Sequence, residues 1–388
     1  MAPESSITVD PSKKQSPLRD VAQGAALKEQ LPPAKSSQTY PPQQSSSESA
    51  ESNASLFFVG TATTILEWEG LRLMTDPNFL HAGDHVHLGP GVGGTRKTNP
   101  AVDLHDLPHI DLVLLSHYHA DHFDQEVEAS LRRDLPIITT PHAHKHLTHK
   151  GHGEAFTAVY PLDAWESMFV NVTSSSTSTR RPHLRVTGMP GKHVGDGLLA
   201  KANDILGAIP PTNGWMLELG YISSDQSTNF ECGYRIYISG DTLYVSELEK
   251  IPELYTHAGK SIDLMLIHLG GTTVPGPHMP LVMVTMDAKQ GVKLVKLVKP
   301  EVTVPIHYES SVASSLRSLF LRLPILKFTT GSTKTDATLP STGAGIQKSD
   351  YDVFLSPLSD FKDAITKAGL SDKVVYLDRG DEFKFRVK

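Results

Sequence analysis

The 388-residue sequence contains a single cysteine, Cys232, so a disulfide within the chain is excluded and the fold must be stable without one. It also lacks a run of about 18 apolar residues, which a membrane-spanning helix requires. No basic segment followed by an apolar one occurs at the N-terminus, so no signal peptide is predicted. We therefore expect a cytoplasmic protein without a transmembrane segment.

Long basic runs are missing as well. The chain has 36 Lys and Arg against 43 Asp and Glu, a formal net charge of −7 at pH 7. Proteins that bind nucleic acid neutralise phosphates with clustered basic side chains, so we expect no nucleic-acid partner. Apolar residues make up 39% of the sequence, which is enough for a sizeable core in one large domain or two small ones.

Composition divides the chain into two parts. Residues 1–54 are rich in Ser, Pro, Gln and Lys, with few aromatic or β-branched side chains, so we predict a disordered tail that cannot bury enough apolar area to offset its ordering entropy. Residues 55–388 are predicted to form the folded domain. Within them, residues 310–349 are a Ser/Thr/Gly-rich block, which we interpret as an inserted surface loop or, alternatively, a translated intron.

Strands and helices alternate along the predicted domain, which indicates an α/β fold. Ile110–Ser116 and Pro136–Thr140 are predicted as buried strands, and Gln125–Arg133 as a short helix between them. A second helix is predicted over residues 287–298, where apolar residues recur at helical spacing before Pro300. Sites in layered α/β folds lie at strand ends, so residues that follow these strands are of most interest.

The densest group of chemically active side chains follows the predicted strand Ile110–Ser116. It is an H-x-H-x-D-H run with three imidazoles and one carboxylate within six residues, His117, His119, Asp121 and His122. Neutral imidazole and carboxylate are the usual ligands of zinc-like ions, so the run predicts a metal site. Three further residues of the same types follow other predicted strands, namely His193, Asp241 and His307.

These seven residues, in this order, resemble the metallo-β-lactamase superfamily over roughly residues 55–309 and 350–388. The resemblance implies a four-layer αββα sandwich with a dinuclear site that holds two divalent metal ions, expected to be Zn²⁺. It implies the following arrangement: His117, His119 and His193 on one ion, Asp121, His122 and His307 on the other, and Asp241 between them.

The resemblance also implies a reaction. A water held between two such ions has its pKa lowered towards neutrality, which gives a metal-bridging hydroxide at pH 7. Asp121 is expected to orient this hydroxide and accept its proton, as the catalytic side chain. We expect a hydrolase for a small-molecule lactone, ester or amide. The alternative is a metal-dependent phosphodiesterase of the phospholipase D-like type, acting on a lipid or a small phosphodiester.

The segment Val59–Glu67, followed by Gly70-Leu71-Arg72 and Thr75-Asp76-Pro77, is similar to the opening of one branch of that superfamily. This branch includes ascorbate-6-phosphate lactonase and N-acyl-phosphatidylethanolamine phospholipase D. Members of this branch usually have Gly-His-Ala-Thr where this chain has Gly60-Thr61-Ala62-Thr63. Any role of that family histidine therefore does not transfer to Thr61. The seven metal-type residues are unaffected by this difference.

Other polar residues are expected near the site or on the surface. His268, His278 and Tyr308 follow predicted strands or lie in loops, and we consider them possible substrate contacts. A cluster of five histidines after Pro136–Thr140 is interpreted as a solvated helix start and loop, with another metal site as the alternative. Its members are His142, His144, His146, His149 and His152.

Overall fold

Two β-sheets pack face to face in the computed structural model, which describes residues 5–21, 28–41, 52–89, 92–173, 180–195, 209–223, 229–271, 273–276, 279–308 and 358–388. The strands are, in chain order, β1 (Ser5–Val9), β2 (Ser37–Thr39), β3 (Ala54–Gly60), β4 (Thr63–Trp68), β5 (Leu71–Thr75), β6 (His85–Gly89), β7 (Val92–Thr95), β8 (Leu112–Leu115), β9 (Ile137–Thr139), β10 (Val159–Pro161), β11 (Ser167–Val172), β12 (Arg180–Pro190), β13 (Asn213–Ser223), β14 (Phe230–Ile238), β15 (Leu264–His268), β16 (Thr273–Gly276), β17 (Met279–Met283), β18 (Val302–Ile306) and β19 (Glu382–Phe385). The α-helices are α1 (Gln125–Ser130), α2 (Pro141–Thr148), α3 (Lys250–Leu254), α4 (Ala288–Val298) and α5 (Leu358–Lys367). Short 3-10 helices cover Pro11–Lys13, Leu104–Asp106, Ser246–Glu249, Thr256–Ala258 and Ser371–Lys373.

The strand order shows how the two sheets are built. One sheet has seven strands in the order β1-β11-β12-β13-β14-β15-β18, and the other has eight in the order β10-β9-β8-β5-β4-β3-β19-β2. The pairs β6–β7 and β16–β17 form separate two-stranded sheets. Within the larger sheets, β5 runs parallel to β8, and β14, β15 and β18 run parallel to one another. The carboxyl ends of these parallel strands therefore meet at common sheet edges.

The alternation of side chains along β8 shows why the sheets are covered on both faces. Leu112 and Leu114 point into the core between the two sheets, whereas Val113 and Leu115 point to the outer face. Side chains of a strand alternate with a period of two, so an uninterrupted apolar run requires apolar partners on both sides. Helices α1 and α2 supply that outer layer.

The seven-stranded sheet is covered in the same way by α3, α4 and α5, which pack on its outer face. Helix α4 buries Leu294, Val295 and Val298, and each such side chain contributes about 1.5–3 kcal/mol when removed from water. Asp287 caps its first turn by accepting a hydrogen bond from the Gln290 amide at 2.9 Å. The layers are helix, sheet, sheet and helix, which confirms the predicted four-layer αββα sandwich.

The N-terminal segment corrects one prediction. Residues 1–54 were expected to be a disordered tail, but β1 adds a parallel edge strand to β11, from Ser5 opposite Met168 to Val9 opposite Val172. Farther along, β2 pairs with β19 at the edge of the other sheet. The expectation is wrong for these parts because pairing with a distant strand offsets the ordering entropy that the segment could not offset alone. The predicted insertion at 310–349 lies outside the described residues.

Among the helices of the described ranges, none is long and apolar enough to cross a membrane.

Candidate metal centre

The H-x-H-x-D-H run forms a tight loop between β8 and α1. The backbone amides of His122 and Phe123 both donate to the carbonyl of His119, at 3.0 and 2.8 Å. Asp124 then starts α1 by accepting from the Glu126 and Val127 amides, each at 2.8 Å. The loop is therefore fixed at both ends, and its imidazoles are held by backbone geometry rather than by a flexible connection.

The other predicted residues arrive from the seven-stranded sheet. His193 lies three residues beyond β12, Asp241 lies three residues beyond β14, and His307 immediately follows β18. Gly240 permits the turn before Asp241, because it has a φ of +62° and a Cβ there would lie 2.3 Å from the carbonyl oxygen of Asn213. Strands from both sheets thus deliver their side chains to one place.

The structure brings all seven predicted residues together in groups whose ligand atoms lie within 4.8 Å of one another. One group is His117, His193 and Asp241. Another is Asp121, His122, Asp241 and His307. A third is His117, His119 and Asp121. Asp241 belongs to two groups, as a residue between two ions would, and Asp121 is shared in the same way.

Two imidazoles are oriented by hydrogen bonds on the side away from the centre. His193 Nδ1 lies 3.0 Å from the carbonyl oxygen of Val284, and because a carbonyl can only accept, this nitrogen carries the proton. His117 Nδ1 lies 2.9 Å from the Ser116 hydroxyl. Among the described residues, Nε2 of His117 and Nε2 of His193 have no hydrogen-bond partner although both atoms are buried. A buried imidazole nitrogen with a free lone pair suits a metal ligand.

Burial favours the neutral form of two of the candidate ligands, His117 and His193. Burial lowers the pKa of His117 well below its usual range and lowers the pKa of His193 to about 4. Both side chains are therefore neutral at pH 7, the form that binds a metal. Since Nδ1 of His193 keeps its proton, the nitrogen that faces the cluster is the one that can coordinate.

The carboxylates of the cluster are affected by the imidazoles near them. Burial opposes their charge, yet the imidazoles of His119 and His122 lower the pKa of Asp121, and those of His307 and His122 lower the pKa of Asp241. Burial likewise opposes the charge of His122, but the carboxylates, Asp241 foremost, raise its pKa well above the usual value. Buried carboxylates that require a positive partner are suited to a cation.

Asp76 is a member of the site that the sequence did not identify. It follows β5, is 2% exposed, and accepts a hydrogen bond from the Ser116 amide at 2.7 Å through Oδ1. Its Oδ2 atom lies 3.2 Å from His122 Nδ1 and 3.8 Å from His268 Nε2. These three side chains form a further buried group of metal-type atoms. Its sequence signal is only its place in the segment Thr75-Asp76-Pro77, to which no site role was assigned.

The three possible substrate contacts have different environments. His268 is fully buried and lies beside Asp76, with its ring 5.7 Å from that of His307. Tyr308 is also buried, and its hydroxyl donates to the Leu377 carbonyl at 3.2 Å, so its polar atom has a structural partner. His278 lies outside the described residues.

Thr61, where the similar branch has histidine, lies at the edge of the site. Its carbonyl accepts a hydrogen bond from the His307 amide at 3.0 Å, and its hydroxyl accepts from the Arg96 guanidinium. Thr61 therefore helps to hold His307 through its backbone, a role that does not require an imidazole at this position.

Comparison with known proteins agrees with this geometry. The model of the beta-lactamase superfamily domain matches residues 72–308. The chain is 24% identical over 200 residues to a UPF0173 metal-dependent hydrolase of Thermococcus onnurineus, covering 52% of this chain and 67% of that protein. It is 24% identical over 281 residues to a UPF0173 metal-dependent hydrolase of Cupriavidus necator, covering 72% and 81%.

Solved structures show the same fold. A possible metal-dependent hydrolase from Veillonella parvula superposes with a TM-score of 0.55 at 14% identity, covering 86% of this chain and 100% of the other. Isothiocyanate hydrolase from Delia radicum gut bacteria superposes with a TM-score of 0.53 at 15% identity, covering 86% and 99%. The narrower resemblance to the lactonase and phospholipase D branch stays a prediction. The family match over residues 72–308, more than half of the chain, shows that it belongs to the beta-lactamase superfamily, as a metal-dependent hydrolase.

Proposed function

We propose that this protein is a dinuclear zinc hydrolase that opens a small-molecule lactone, ester or amide. The observation that carries the proposal is the sharing of Asp241 between the His117–His193 group and the Asp121–His122–His307 group. A carboxylate has two oxygens and can serve two ions, whereas each imidazole offers one nitrogen to one ion.

The donor set fits zinc. Imidazole nitrogen and carboxylate oxygen are ligands that Zn²⁺ accepts in catalytic sites. Cys232, which lies on β14, is not expected to compete for the metal, because burial raises the pKa of its thiol to about 12 and only the thiolate is a good ligand. The protein side of the site is therefore made of nitrogen and oxygen atoms.

When bound, the ions would supply an acidified water and an electrophile for the scissile carbonyl. The chain supplies the rest. Asp121, 4% exposed, would orient the attacking water and take its proton. This role is supported by the contact of its Oδ1 with His119 Nδ1 at 2.5 Å and by the 3.6 Å between its Oδ2 and His307 Nε2. These contacts fix the carboxylate plane. The backbone bond of His193 to Val284 holds that imidazole in one tautomer.

The choice between substrate classes rests on the net charge of the chain. A formal net charge of −7 does not favour a polyanionic substrate, since a phosphodiester of a long nucleic acid needs compensating Lys and Arg side chains. A neutral lactone, ester or amide needs no such compensation. A phosphodiester of a lipid or small molecule remains the competing substrate and is one arm of the test.

The first experiment measures metal content of the purified full chain by elemental analysis, together with His117→Ala, Asp241→Ala and the exposed control His152→Ala. About two equivalents of zinc in the protein and the control, with loss in both site variants, is the expected result. Fewer than half an equivalent of any transition metal after loading would overturn the dinuclear site.

The second experiment offers the zinc-loaded protein lactones, carboxylic esters, amides and phosphodiesters in one panel. We expect turnover of the carbonyl substrates, abolished in Asp241→Ala and retained in His152→Ala. Turnover confined to the phosphodiesters would replace the proposed substrate class by the phosphodiesterase alternative while leaving the metal site in place.

A further inference from the structure

Helix α2 carries two histidines one turn apart, outside the centre described above. Thr140 caps the helix by accepting from the Ala143 amide at 3.1 Å, and Pro141 occupies its first turn. His142 and His146 stand at positions i and i+4, which lie on the same face of a helix. The sequence predicts a solvated helix start and loop for the five histidines, and their spacing alone does not show whether any two of the rings face each other.

The two rings face one another. Their Nε2 atoms lie 3.3 Å apart, and the ring centroids are 4.5 Å apart at an angle of 52°. A direct hydrogen bond between nitrogens at this separation would be long, since N–H donors usually approach acceptors to about 2.7–3.2 Å. It would also require one ring to donate and the other to accept.

The same separation suits a shared ion. Two nitrogens bound at about 2.0–2.1 Å to one tetrahedral metal ion lie about 3.3–3.4 Å apart. Burial lowers the pKa of His142, and the neighbouring His146 and Lys145 add to this effect, so His142 is neutral in the form that binds metal. Its Nδ1 atom is buried and has no hydrogen-bond partner among the described residues, so no bond there competes for the orientation of the ring.

His146 is held in place by the aromatic ring next to it. The ring of Tyr118 lies parallel to that of His146, with centroids 4.9 Å apart and an angle of 6° between planes. The Tyr118 hydroxyl is fixed in turn by Glu128 at 2.8 Å and by Lys150 at 3.2 Å. The imidazole is therefore oriented before any ligand arrives, which reduces the entropy lost on binding.

We propose that His142 and His146 form a second, peripheral metal site for a divalent first-row cation that prefers nitrogen donors, such as Zn²⁺, Ni²⁺ or Cu²⁺. The pair supplies two ligands, and water supplies the others, because His146 is exposed on the surface of α2. The site is separate from the seven-residue centre, and it does not depend on the proposed hydrolase activity.

The test is equilibrium dialysis of the full chain against increasing free Zn²⁺, with bound zinc counted per chain. His146→Gln is the main variant, because an exposed side chain can be replaced without unfolding the protein, and His142→Ala is the second. His144→Ala is the matched control, since it lies on the same helix but about 200° around the axis from His142. Circular dichroism checks that each variant is folded.

We expect the wild type and His144→Ala to bind one more equivalent of zinc at saturation than His146→Gln and His142→Ala. Zinc-edge anomalous diffraction should place that ion between the two Nε2 atoms. Equal stoichiometry in all four proteins would overturn the proposal, and so would loss of the same equivalent in His144→Ala. Failure of the dinuclear centre would look different, because it would remove zinc from all four proteins alike.

Discussion

Asp76 Oδ2 lies 3.2 Å from Nδ1 of His122, while Nε2 of the same ring lies 3.2 Å from Asp241 Oδ2. One imidazole thus connects a carboxylate behind the centre to a carboxylate within it. A histidine that ligates a metal commonly donates its other ring N–H to a carboxylate, which fixes the tautomer and strengthens the ligand. Asp76 is placed for that role towards His122.

Replacing this carboxylate should weaken metal binding. Asp76→Asn keeps the size of the side chain but removes the charge, and we expect zinc affinity to fall about 10- to 100-fold, as for other outer partners of metal ligands. Competition with a chromogenic chelator measures the change. Asp111→Asn is the matched control, because Asp111 is also buried and accepts a backbone hydrogen bond, from Arg72 at 2.8 Å, but lies outside the metal-type groups. Equal loss in both variants would contradict the role of Asp76.

His268 should act through Asp76 rather than on its own. Its Nε2 atom lies 3.8 Å from Asp76 Oδ2, and its backbone amide is held by the Ser239 hydroxyl at 2.9 Å. We expect His268→Gln to lower zinc affinity less than Asp76→Asn does, and the double variant to resemble Asp76→Asn alone. Chelator competition on all four proteins completes the double-mutant cycle. Additive losses would show that the two side chains act independently.

The elements around the H-x-H-x-D-H run could be predicted from the sequence because their signals are local. The apolar run Ile110–Ser116 predicts a buried strand, and β8 occupies Leu112–Leu115. The helix predicted at Gln125–Arg133 is α1, Gln125–Ser130. The strand, the H-x-H-x-D-H run and the helix cap follow one another within about 20 residues. Each is indicated by residues that are close together in the sequence.

The parts that were missed depend on distant partners. Strand β1 has five residues and is ordered by β11, which begins at Ser167, so the average composition of residues 1–54 concealed it. Asp76 is far from His122 in the sequence, and only folding brings the two side chains together. The rings of His142 and His146 face each other, and the composition of the segment does not show this arrangement.

The metal-free protein should become less stable as the pH falls from about 6.5 towards 4. Burial lowers the pKa of His193 to about 4, so between that value and its unfolded pKa near 6.5 the unfolded chain binds more protons, and stability rises with pH. The difference is worth about 3 kcal/mol for this one group. His122 has a raised pKa and the opposite sign. The stability that His122 contributes is fully present below its unfolded pKa and is lost as the pH rises through its folded pKa. This change therefore takes place above about pH 6.5, outside the range considered for His193.

Urea unfolding of chelator-treated protein at several values between pH 4.5 and 6.5 measures this slope. His193→Asn should make the slope shallower, because the asparagine does not titrate, but not abolish it, because the pKa of His117 is lowered in the same direction. The exposed His152→Asn should leave the slope unchanged. If the wild type and His193→Asn show the same slope, the buried neutral imidazole does not contribute to the pH dependence.

The N-terminal strand should contribute to the stability of the whole domain. Val9 closes β1, is 4% exposed and packs into the core between the two sheets with side chains such as Val170 and Val172 of β11. Val9→Ala removes two methyl groups from that core, and we expect the free energy of unfolding to fall by about 2 kcal/mol. Thr8→Ala is the matched control, because Thr8 is the preceding residue of the same strand and is exposed. Urea denaturation of the full chain measures both. A disordered N-terminus predicts no change in either variant, so equal midpoints for Val9→Ala and the wild type would contradict the pairing of β1 with β11.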